Sequence, residues 1–380
     1  MKVLFSCSEL GLGHVSRVVP LGERLEKRGH EVFFFSGGAA YQRLKGEFGN
    51  VYYCRPVAWY ENAHGIITSA SVLNILFPLP NFNYERNAFE IKSSNAMETI
   101  HRYYDLRRNI RKIKPDVIVS DGDMHALRLA QRWKIPSVYI TNVIRPTYGF
   151  PKLLILGERF TERYVRNCSK IIVPDNPPPY TICEYNLGNL EDIEVEDKVE
   201  FVGGFLDMTP IEGREEHIFA PISGPLGTRA KLTNLIIPAL KELELKSVVS
   251  LGVFGEKISA KIGKCEVHTW LTPQERQECM RDARYIIFSG GHTTCLETIK
   301  YAKPSVCIPT QPEQLGNAKK MQHLNCSVVA KNGKDLRQAI KELEEKRQFY
   351  QSSVRGLSQY SGRFNGVENA VKIIESVAKS

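Results

Sequence analysis

Short apolar runs alternate with amphipathic segments along this chain. The apolar run 3–7 ends in a glycine-rich turn, and apolar positions from Val15 to Leu25 then recur at near-helical spacing up to Gly29. Comparable patterns predict strands at 31–35, 51–54, 116–120, 137–141 and 170–174, and helices at 96–113 and 125–133. Strands that alternate with helices are typical of a parallel sheet covered on both faces.

The same alternation restarts after a polar stretch that contains Pro210 and Gly213. It predicts strands at 217–221, 247–251, 266–268, 285–288, 305–308 and 327–329, and helices at 229–243, 272–281, 293–301, 317–323 and 335–349. We therefore predict two doubly wound, Rossmann-like α/β domains, residues 1–208 and 214–355, that face each other across a cleft. Residues 356–380 are predicted to form a helix that packs back on the first domain. Ligands of such sheets bind beyond the carboxyl ends of the strands.

The composition is that of a globular protein. Of 380 residues, 42% are hydrophobic and 24% are charged, which excludes a disordered or fibrous chain, and no apolar run reaches the length of a membrane span. The nine cysteines contain no C-x-x-C pair, which argues against a disulfide framework and against a zinc site. We expect a cytoplasmic protein.

The net charge of +9 lies entirely in the first half. Residues 1–180 carry 25 Lys and Arg against 16 Asp and Glu, whereas residues 181–380 carry 26 of each. This asymmetry predicts contact with an anionic membrane surface, a phosphate-bearing substrate or nucleic acid. A solvated basic helix explains the composition equally well.

The first turn, residues 9–17, combines glycines with a histidine. Gly11 and Gly13 allow the backbone to approach a ligand closely, and the helix that follows favours negative charge at its start. The turn is not a dinucleotide fingerprint, because Ser16 replaces its third glycine. His14 is the candidate for proton transfer, since an imidazole titrates near pH 6.5; a structural histidine is the alternative.

Two acids follow the predicted strand 116–120. Asp121 and Asp123 lie on the same rim of the sheet as His14, and either can accept the ring N–H of His14 and stabilise the imidazolium. The alternative for Asp123 is a cap on the helix that begins at Met124. Asp-Gly-Asp also matches the D-x-D of metal-dependent sugar transferases. We discount that interpretation, because the phosphate-binding pattern lies in the other half, and we predict no metal site.

The strongest pattern in the chain is the run 286–297, I-I-F-S-G-G-H-T-T-C-L-E. A strand that ends in Gly290 and Gly291 leaves the amides of the next helix uncovered, and two threonines add hydroxyl donors, which together predict a diphosphate site. Glu297, one turn further on, can accept from two ribose hydroxyls. After the next strand, Glu313 and Gln314 suit the hydroxyls of a sugar.

These motifs resemble the GT-B glycosyltransferases, specifically the family 28-like group. The resemblance rests on the G-x-G-H opening, the P-D-x-x-x-x-D strand end and the G-G-x-x-T-x-x-E…P…P…E-Q…N-A run, and it covers most of the chain. It implies that His14 is the catalytic base with Asp121 behind it, and that the uracil base lies beside Trp270 and Leu271. It assigns the remaining donor contacts to Gly290, Gly291, His292, Thr293 and Thr294 for the diphosphate, Glu297 for the ribose, and Glu313, Gln314 and Asn317 for the sugar.

The resemblance predicts an inverting, metal-independent transferase that moves a hexose from a UDP-sugar and needs no cofactor. Among the hexoses, the family resemblance favours N-acetylglucosamine. This chain departs from the family pattern in two places. Its glycine-rich opening is shorter, and its acceptor region is unlike that of any member. Alternatives are a UDP-sugar 2-epimerase of the same architecture, a soluble transferase with a small-molecule acceptor, and a non-catalytic partner that binds nucleotide sugars.

Two apolar segments of the first half, 71–82 and 151–164, stand beside basic residues. Together with the basic stretch 102–114 they predict docking on an anionic membrane and a lipid-linked acceptor, through residues such as Leu76, Phe77, Arg107, Arg108 and Leu154. Burial in the core, or in a dimer contact, is the alternative for both segments. Nucleic acid is not an expected partner, because the basic stretch is one helix outside any recognisable nucleic-acid module.

Overall fold

The computed structural model describes residues 1–9, 11–56, 60–62, 65–66, 68–83, 87–148, 155–209, 211–224, 226–253, 255 and 257–379. We refer to the part before residue 202 as the N-lobe and to the part from residue 217 to residue 361 as the C-lobe. Among the described residues, no helix has both the length and the apolar character needed to cross a bilayer.

The elements of the N-lobe are, in chain order, β1 (Lys2–Cys7), α1 (Gly11–Lys27), β2 (Glu31–Ser36), α2 (Gly38–Glu47), β3 (Val51–Tyr53), β4 (Glu61–Asn62), β5 (Gly65–Ile66), α3 (Thr68–Leu76), β6 (Leu79–Asn83), β7 (Ala88–Lys92), α4 (Ala96–Ile113), β8 (Val117–Asp121), α5 (Met124–Trp133), β9 (Ser137–Ile140), α6 (Ile155–Arg166), β10 (Lys170–Val173), α7 (Glu184–Leu187) and β11 (Val199–Phe201).

The elements that follow are β12 (His217–Pro221), α8 (Leu226–Lys241), β13 (Ser247–Ser250), β14 (Ser259–Ile262), β15 (Cys265–His268), α9 (Pro273–Arg281), β16 (Ala283–Phe288), α10 (His292–Lys300), β17 (Ser305–Cys307), α11 (Pro312–His323), β18 (Ser327–Val329), α12 (Gly333–Glu345), α13 (Arg347–Ser361) and α14 (Gly366–Lys379).

Each lobe contains a doubly wound sheet, as predicted. The N-lobe order is β11-β10-β9-β8-β1-β2-β3, with every pair parallel, and the C-lobe order is β14-β15-β13-β12-β16-β17-β18, with only the edge strand β14 antiparallel. The strand order reverses beside β1 in the first sheet and beside β12 in the second, which is where such folds form a ligand crevice.

Successive side chains of β1 pack into two different hydrophobic clusters, one on each face of the sheet. Val3 and Phe5 pack in the cluster that includes α1 and α14, while Leu4 packs in the cluster that includes α4 and α5. Because both faces are covered, the strand is apolar almost throughout.

The apolar segment 71–82 has regular secondary structure. It forms most of α3 and then strand β6, which pairs with β7 in an antiparallel hairpin. The segment 151–164 enters α6 from Ile155 onward, and Leu154 lies outside the described residues.

The chain passes between the lobes twice, after β11 and again between α13 and α14. The two passages touch: a β-carbon at Gly203 would lie 2.4 Å from the Phe364 side chain, and one at Gly366 would lie 2.3 Å from the Gly204 carbonyl oxygen. α14 then joins the core of the N-lobe, where Arg28 pairs with Glu368 and with Glu375.

Candidate active site

The N-lobe part of the site lies where the strand order reverses, between β1 and β8. Cys7 and Asp121 are register partners at the ends of these strands, and the Ser8 amide donates to the Asp121 carbonyl oxygen at 2.9 Å. Because α1 begins at Gly11, His14 lies in the first turn of a helix rather than in the preceding turn, where the sequence had placed it. Next to it, Gly13 has open space where a side chain would stand.

His14 and Asp121 form a hydrogen-bonded pair. The distance from Nδ1 of His14 to Oδ1 of Asp121 is 2.6 Å, and the aspartate side chain is fully buried while the imidazole is one-quarter exposed. Burial alone would raise the pKa of Asp121, but the positive charge of Arg17 and the hydrogen bonds from His14 and Arg17 hold it below its ordinary value. With Nδ1–H donated to the carboxylate, Nε2 is left with the lone pair that a general base uses.

Asp123 has a different environment. Its Oδ1 accepts from the His125 amide at 3.0 Å and so caps α5, while its Oδ2 accepts from Arg102 at 2.7 Å and from the Ser6 hydroxyl at 2.5 Å. Burial would raise the pKa of Asp123, but the charge of Arg102 lowers it to about 2. Of the two predicted acids, only Asp121 contacts His14, and Asp123 has the capping role that the sequence offered as its alternative.

Gly122 is a site residue that the sequence analysis overlooked. Its φ of +75° is one that residues with side chains rarely adopt, and a β-carbon there would lie 3.0 Å from Cε1 and 3.3 Å from Nδ1 of His14. Glycine at this position therefore gives the imidazole room beside Asp121. The glycine between the two aspartates in the sequence could have indicated this close approach of the backbone to the imidazole.

The C-lobe part of the site is the start of α10. Gly290 follows β16 with a φ of +84°, and Gly291 is the N-cap residue. A β-carbon at Gly291 would meet no atom within 4 Å, so there is open space beside the N-cap of α10, and glycine has no side chain that could cap the first amides. Uncovered amides at the start of a helix are suited to binding an anion.

The two helix starts face each other. A small cavity between the lobes is lined by Ser16 and Arg17 from α1, by His292 and Thr293 from α10, and by Phe205 and Leu206 from the first passage. Thr293 is half-buried and Thr294 is buried. His292 is also buried, and its Nε2 lies 3.0 Å from Oδ2 of Asp175 in the N-lobe, so it joins the lobes in addition to starting α10.

Two predicted donor-binding residues are held by neighbours in the C-lobe. The Glu297 carboxylate forms a bidentate ion pair with Arg276, in which Nη2 of Arg276 lies 2.7 Å from Oε2 of Glu297. The sequence motifs did not point to this arginine. The Gln314 side-chain oxygen accepts from the amide and the hydroxyl of Thr310, both at 2.9 Å.

Glu313 and Asn317, on α11, make contacts that reach the N-lobe. Oε1 of Glu313 accepts from Nδ2 of Asn142 at 2.7 Å. Asn317 is fully buried, donates to the Gly290 carbonyl oxygen at 3.0 Å and accepts from Asn186 at 2.8 Å. Asn317 therefore holds the glycine turn in place, and its contact with the sugar stays a prediction.

The residues predicted to flank the base of the donor follow β15. Trp270 is half-buried, and Leu271 is buried in the core cluster of α9 and β16, immediately before the Thr272 cap of α9. This places them at the carboxyl end of a C-lobe strand, on the same edge as Gly290.

The predicted acceptor or membrane residues lie on the outer part of the N-lobe. Leu76 and Phe77, at the end of α3, are both exposed. On α4, the Arg107 guanidinium lies over the Tyr104 ring at 5.9 Å, and Arg108 is largely exposed. The buried-core alternative therefore does not apply to Leu76 and Phe77.

Comparison with known proteins gives this geometry a chemical context. Residues 232–361 match the model of the glycosyltransferase family 28 C-terminal domain. An uncharacterized glycosyltransferase of Methanosarcina acetivorans is 24% identical over 99% of this chain and 98% of its own length, and one of Methanosarcina mazei is 27% identical over 84% and 83%. The chain is a glycosyltransferase with the GT-B fold.

Solved structures agree with the fold of this glycosyltransferase. Spinosyn rhamnosyltransferase SpnG, complexed with thymidine diphosphate, superposes with a TM-score of 0.69 at 13% identity and covers 99% of this chain and 100% of its own. MurG of Acinetobacter baumannii gives a TM-score of 0.64 at 15% identity, with 99% of each chain covered. Both likenesses concern the GT-B fold.

Proposed function

We propose that this glycosyltransferase transfers a hexose from a UDP-sugar to a hydroxyl group of a lipid-linked acceptor, with inversion at the anomeric carbon and without a metal ion. The observation that carries the proposal is the placement of the His14–Asp121 pair on one lobe opposite the uncovered start of α10 on the other. N-acetylglucosamine is the hexose that we propose, because it is the choice that the resemblance to family 28 implies.

The N-lobe supplies the base in this proposal. Nε2 of His14 takes the proton of the acceptor hydroxyl as its oxygen attacks the anomeric carbon. Asp121 stabilises the imidazolium that forms, and the bond from the anomeric carbon to the diphosphate breaks on the opposite face. An in-line displacement of this kind inverts the anomeric centre.

The C-lobe stabilises the leaving group. UDP departs with the bonding electron pair, and its developing charge meets the amides of Gly291 and His292 and the hydroxyls of Thr293 and Thr294. The proposal of metal independence is supported by the state of the D-x-D acids, since Asp121 is paired with Arg17 and Asp123 with Arg102. Both carboxylates are thereby neutralised by protein cations.

A panel of nucleotide sugars tests the donor proposal. Among UDP-N-acetylglucosamine, UDP-glucose, UDP-galactose and the matching TDP- and GDP-sugars, we expect a UDP-sugar to stabilise the protein most. At 100 times its dissociation constant it should add about 2.7 kcal/mol to the free energy of unfolding, measured by thermal denaturation. Stabilisation by TDP- or GDP-sugars alone would reject UDP, and a bound UDP-sugar that is 2-epimerised with no acceptor present would indicate the epimerase activity instead.

An exposed apolar surface supports the membrane part of the proposal. Asn74 donates to the Phe77, Lys92 and Ser93 carbonyl oxygens and accepts from Asn95, so the end of α3, the end of β7 and the start of α4 adjoin. The exposed apolar side chains on these elements, here named the apolar face, are Leu73, Leu76, Phe77, Phe89, Ile91, Met97, Ile100 and Tyr104. The basic end of α4 continues it with Arg107, Arg108, Arg111 and Lys112. Apolar side chains next to arginines suit an anionic bilayer surface.

Co-sedimentation with vesicles tests this surface. We expect the protein to pellet with phosphatidylglycerol-containing vesicles at low salt and less at high salt, since each cation near the surface contributes about 1 kcal/mol that salt screens. The double variant Phe89→Ser, Ile91→Ser should bind more weakly, whereas Phe349→Ser, an exposed phenylalanine on α13 of the other lobe, should bind as the wild type does. Absence of binding at low salt would reject the membrane proposal.

A further inference from the structure

Arg17 lies at the centre of the N-lobe site, although neither the sequence motifs nor the proposed mechanism uses it. Its Nε donates to Oδ2 of Asp121 at 2.9 Å and its Nη2 donates to Oδ1 at 2.6 Å, so the guanidinium binds both oxygens of the carboxylate. Nη2 also lies 2.8 Å from Nδ1 of His14. The arginine side chain is mostly buried, which strengthens its electrostatic effect on both neighbours.

Arg17 also connects the base to the other lobe. Its Nη1 donates to Oδ1 of Asn142 at 2.7 Å, and Nδ2 of the same asparagine donates to Oε1 of Glu313 at 2.7 Å. An arginine only donates and an ionised glutamate only accepts, so the orientation of the buried Asn142 amide is fixed by its two partners. A continuous chain of hydrogen bonds thus joins His14 to the glutamate assigned to the donor sugar.

We propose that Arg17 is a positioning residue with two effects: its charge keeps the His14–Asp121 pair from taking up a proton in the resting enzyme, and its contact with Asn142 orients Glu313 across the cleft. This inference rests on the proposed function of His14 and Glu313.

The first effect follows from the charge balance of the pair. Asp121 and His14 together bear one negative charge when His14 is ready to act as a base, and Arg17 neutralises it. Without Arg17, the pair gains a proton more easily, whether that proton goes to the imidazole or to the carboxylate, because coupled groups titrate as a unit. Either way the base is lost at a higher pH than in the wild type.

The other ionisable groups around the pair do not substitute for Arg17. Burial raises the pKa of the Cys7 thiol and of the Tyr139 phenol, so both stay neutral, and the Asp123 carboxylate is balanced by Arg102. Among the described residues, the ionisable groups near the pair include Cys7 on β1, Glu9 before α1, Arg102 on α4, Asp123 after β8, Tyr139 on β9 and, through Arg17, Glu313 of the C-lobe.

Titration of the His14 ring by NMR tests the first effect without any substrate. In Arg17→Gln we expect the pair to take up its proton at a higher pH than in the wild type, because Arg17 holds the pKa of Asp121 down; the Cε1–H signal, assigned with His14→Ala, reports this uptake. Arg17→Lys keeps the charge and should titrate near the wild type. Arg24→Gln removes an exposed arginine from the same helix and should have no effect. An unchanged midpoint in a folded Arg17→Gln protein overturns the charge effect, whether or not the protein transfers sugar.

Steady-state kinetics test the second effect. Asn142→Ala should raise KM for the UDP-sugar about tenfold, since Glu313 loses its hydrogen bond to the N-lobe, and should leave the acid limb of the kcat/KM profile in place. Arg17→Gln should move the acid limb of the kcat/KM profile to higher pH. A uniform loss of kcat in both variants, without a change in KM or in the limb, would show that the contacts are only structural. A wild-type protein that transfers no sugar would refute the proposed function, while the NMR result would stand.

Discussion

Replacement of His14 by alanine is expected to lower kcat by about 10²–10⁴-fold, the range that one general base usually contributes. The reason is geometric: His14 pairs with buried Asp121 at 2.6 Å, so its other ring nitrogen is the available acceptor for the proton of the incoming hydroxyl. Release of UDP from the donor in the presence of the acceptor measures turnover. Stabilisation of the same variant by UDP should stay close to the wild-type value, because the diphosphate is assigned to the C-lobe.

Two outcomes would contradict this role of His14. Unchanged turnover would remove it from catalysis, and a loss of UDP binding would place it in the donor site instead. His323→Ala is the matched control, because this exposed histidine lies at the end of α11, away from the start of α10.

The second large effect is expected at the start of α10. A β-carbon at Gly291 meets no protein atom within 4 Å and its φ is not positive, so Gly291→Ala should fold with an unchanged melting temperature in the absence of ligand. The added methyl group occupies the space where we place the diphosphate, against the amides of the helix start. A 100-fold weaker affinity would reduce the stabilisation by UDP from about 2.7 to about 0.4 kcal/mol at the same concentration.

Thermal denaturation with and without UDP measures this change. Gly356→Ala is the control, because Gly356 is an exposed residue of α13 where a β-carbon likewise meets nothing within 4 Å. If Gly291→Ala binds UDP as tightly as the wild type, the diphosphate does not lie at this helix start, and the donor site must be sought elsewhere in the cleft.

The buried strands could be predicted from the sequence because parallel strands covered on both faces are continuously apolar. β1, β8 and β16 each appear as such a run, and α4 has the predicted bounds. Helix ends were less predictable. α11 begins at Pro312 and not at Asn317, because its first turn is polar, and the predicted helix 335–349 is divided at Lys346 into α12 and α13.

The pairing of His14 with an aspartate could also be anticipated, since the ends of neighbouring parallel strands meet at one edge. The positions of the cations and amides around that pair could not be anticipated from the sequence. Arg17 and Asp121 are 104 residues apart, and Asn142 and Glu313 are 171 residues apart in different lobes. No local spacing indicates such contacts, because they depend on how the lobes face each other.

The touching passages between the lobes have a mechanical consequence. Gly203 and Gly204 pack directly on Phe364 and Gly366, so both covalent links cross the gap at one place. Two lobes whose links cross at one place turn about that place more readily than they slide, so the separation of the base from the leaving group depends on this rotation.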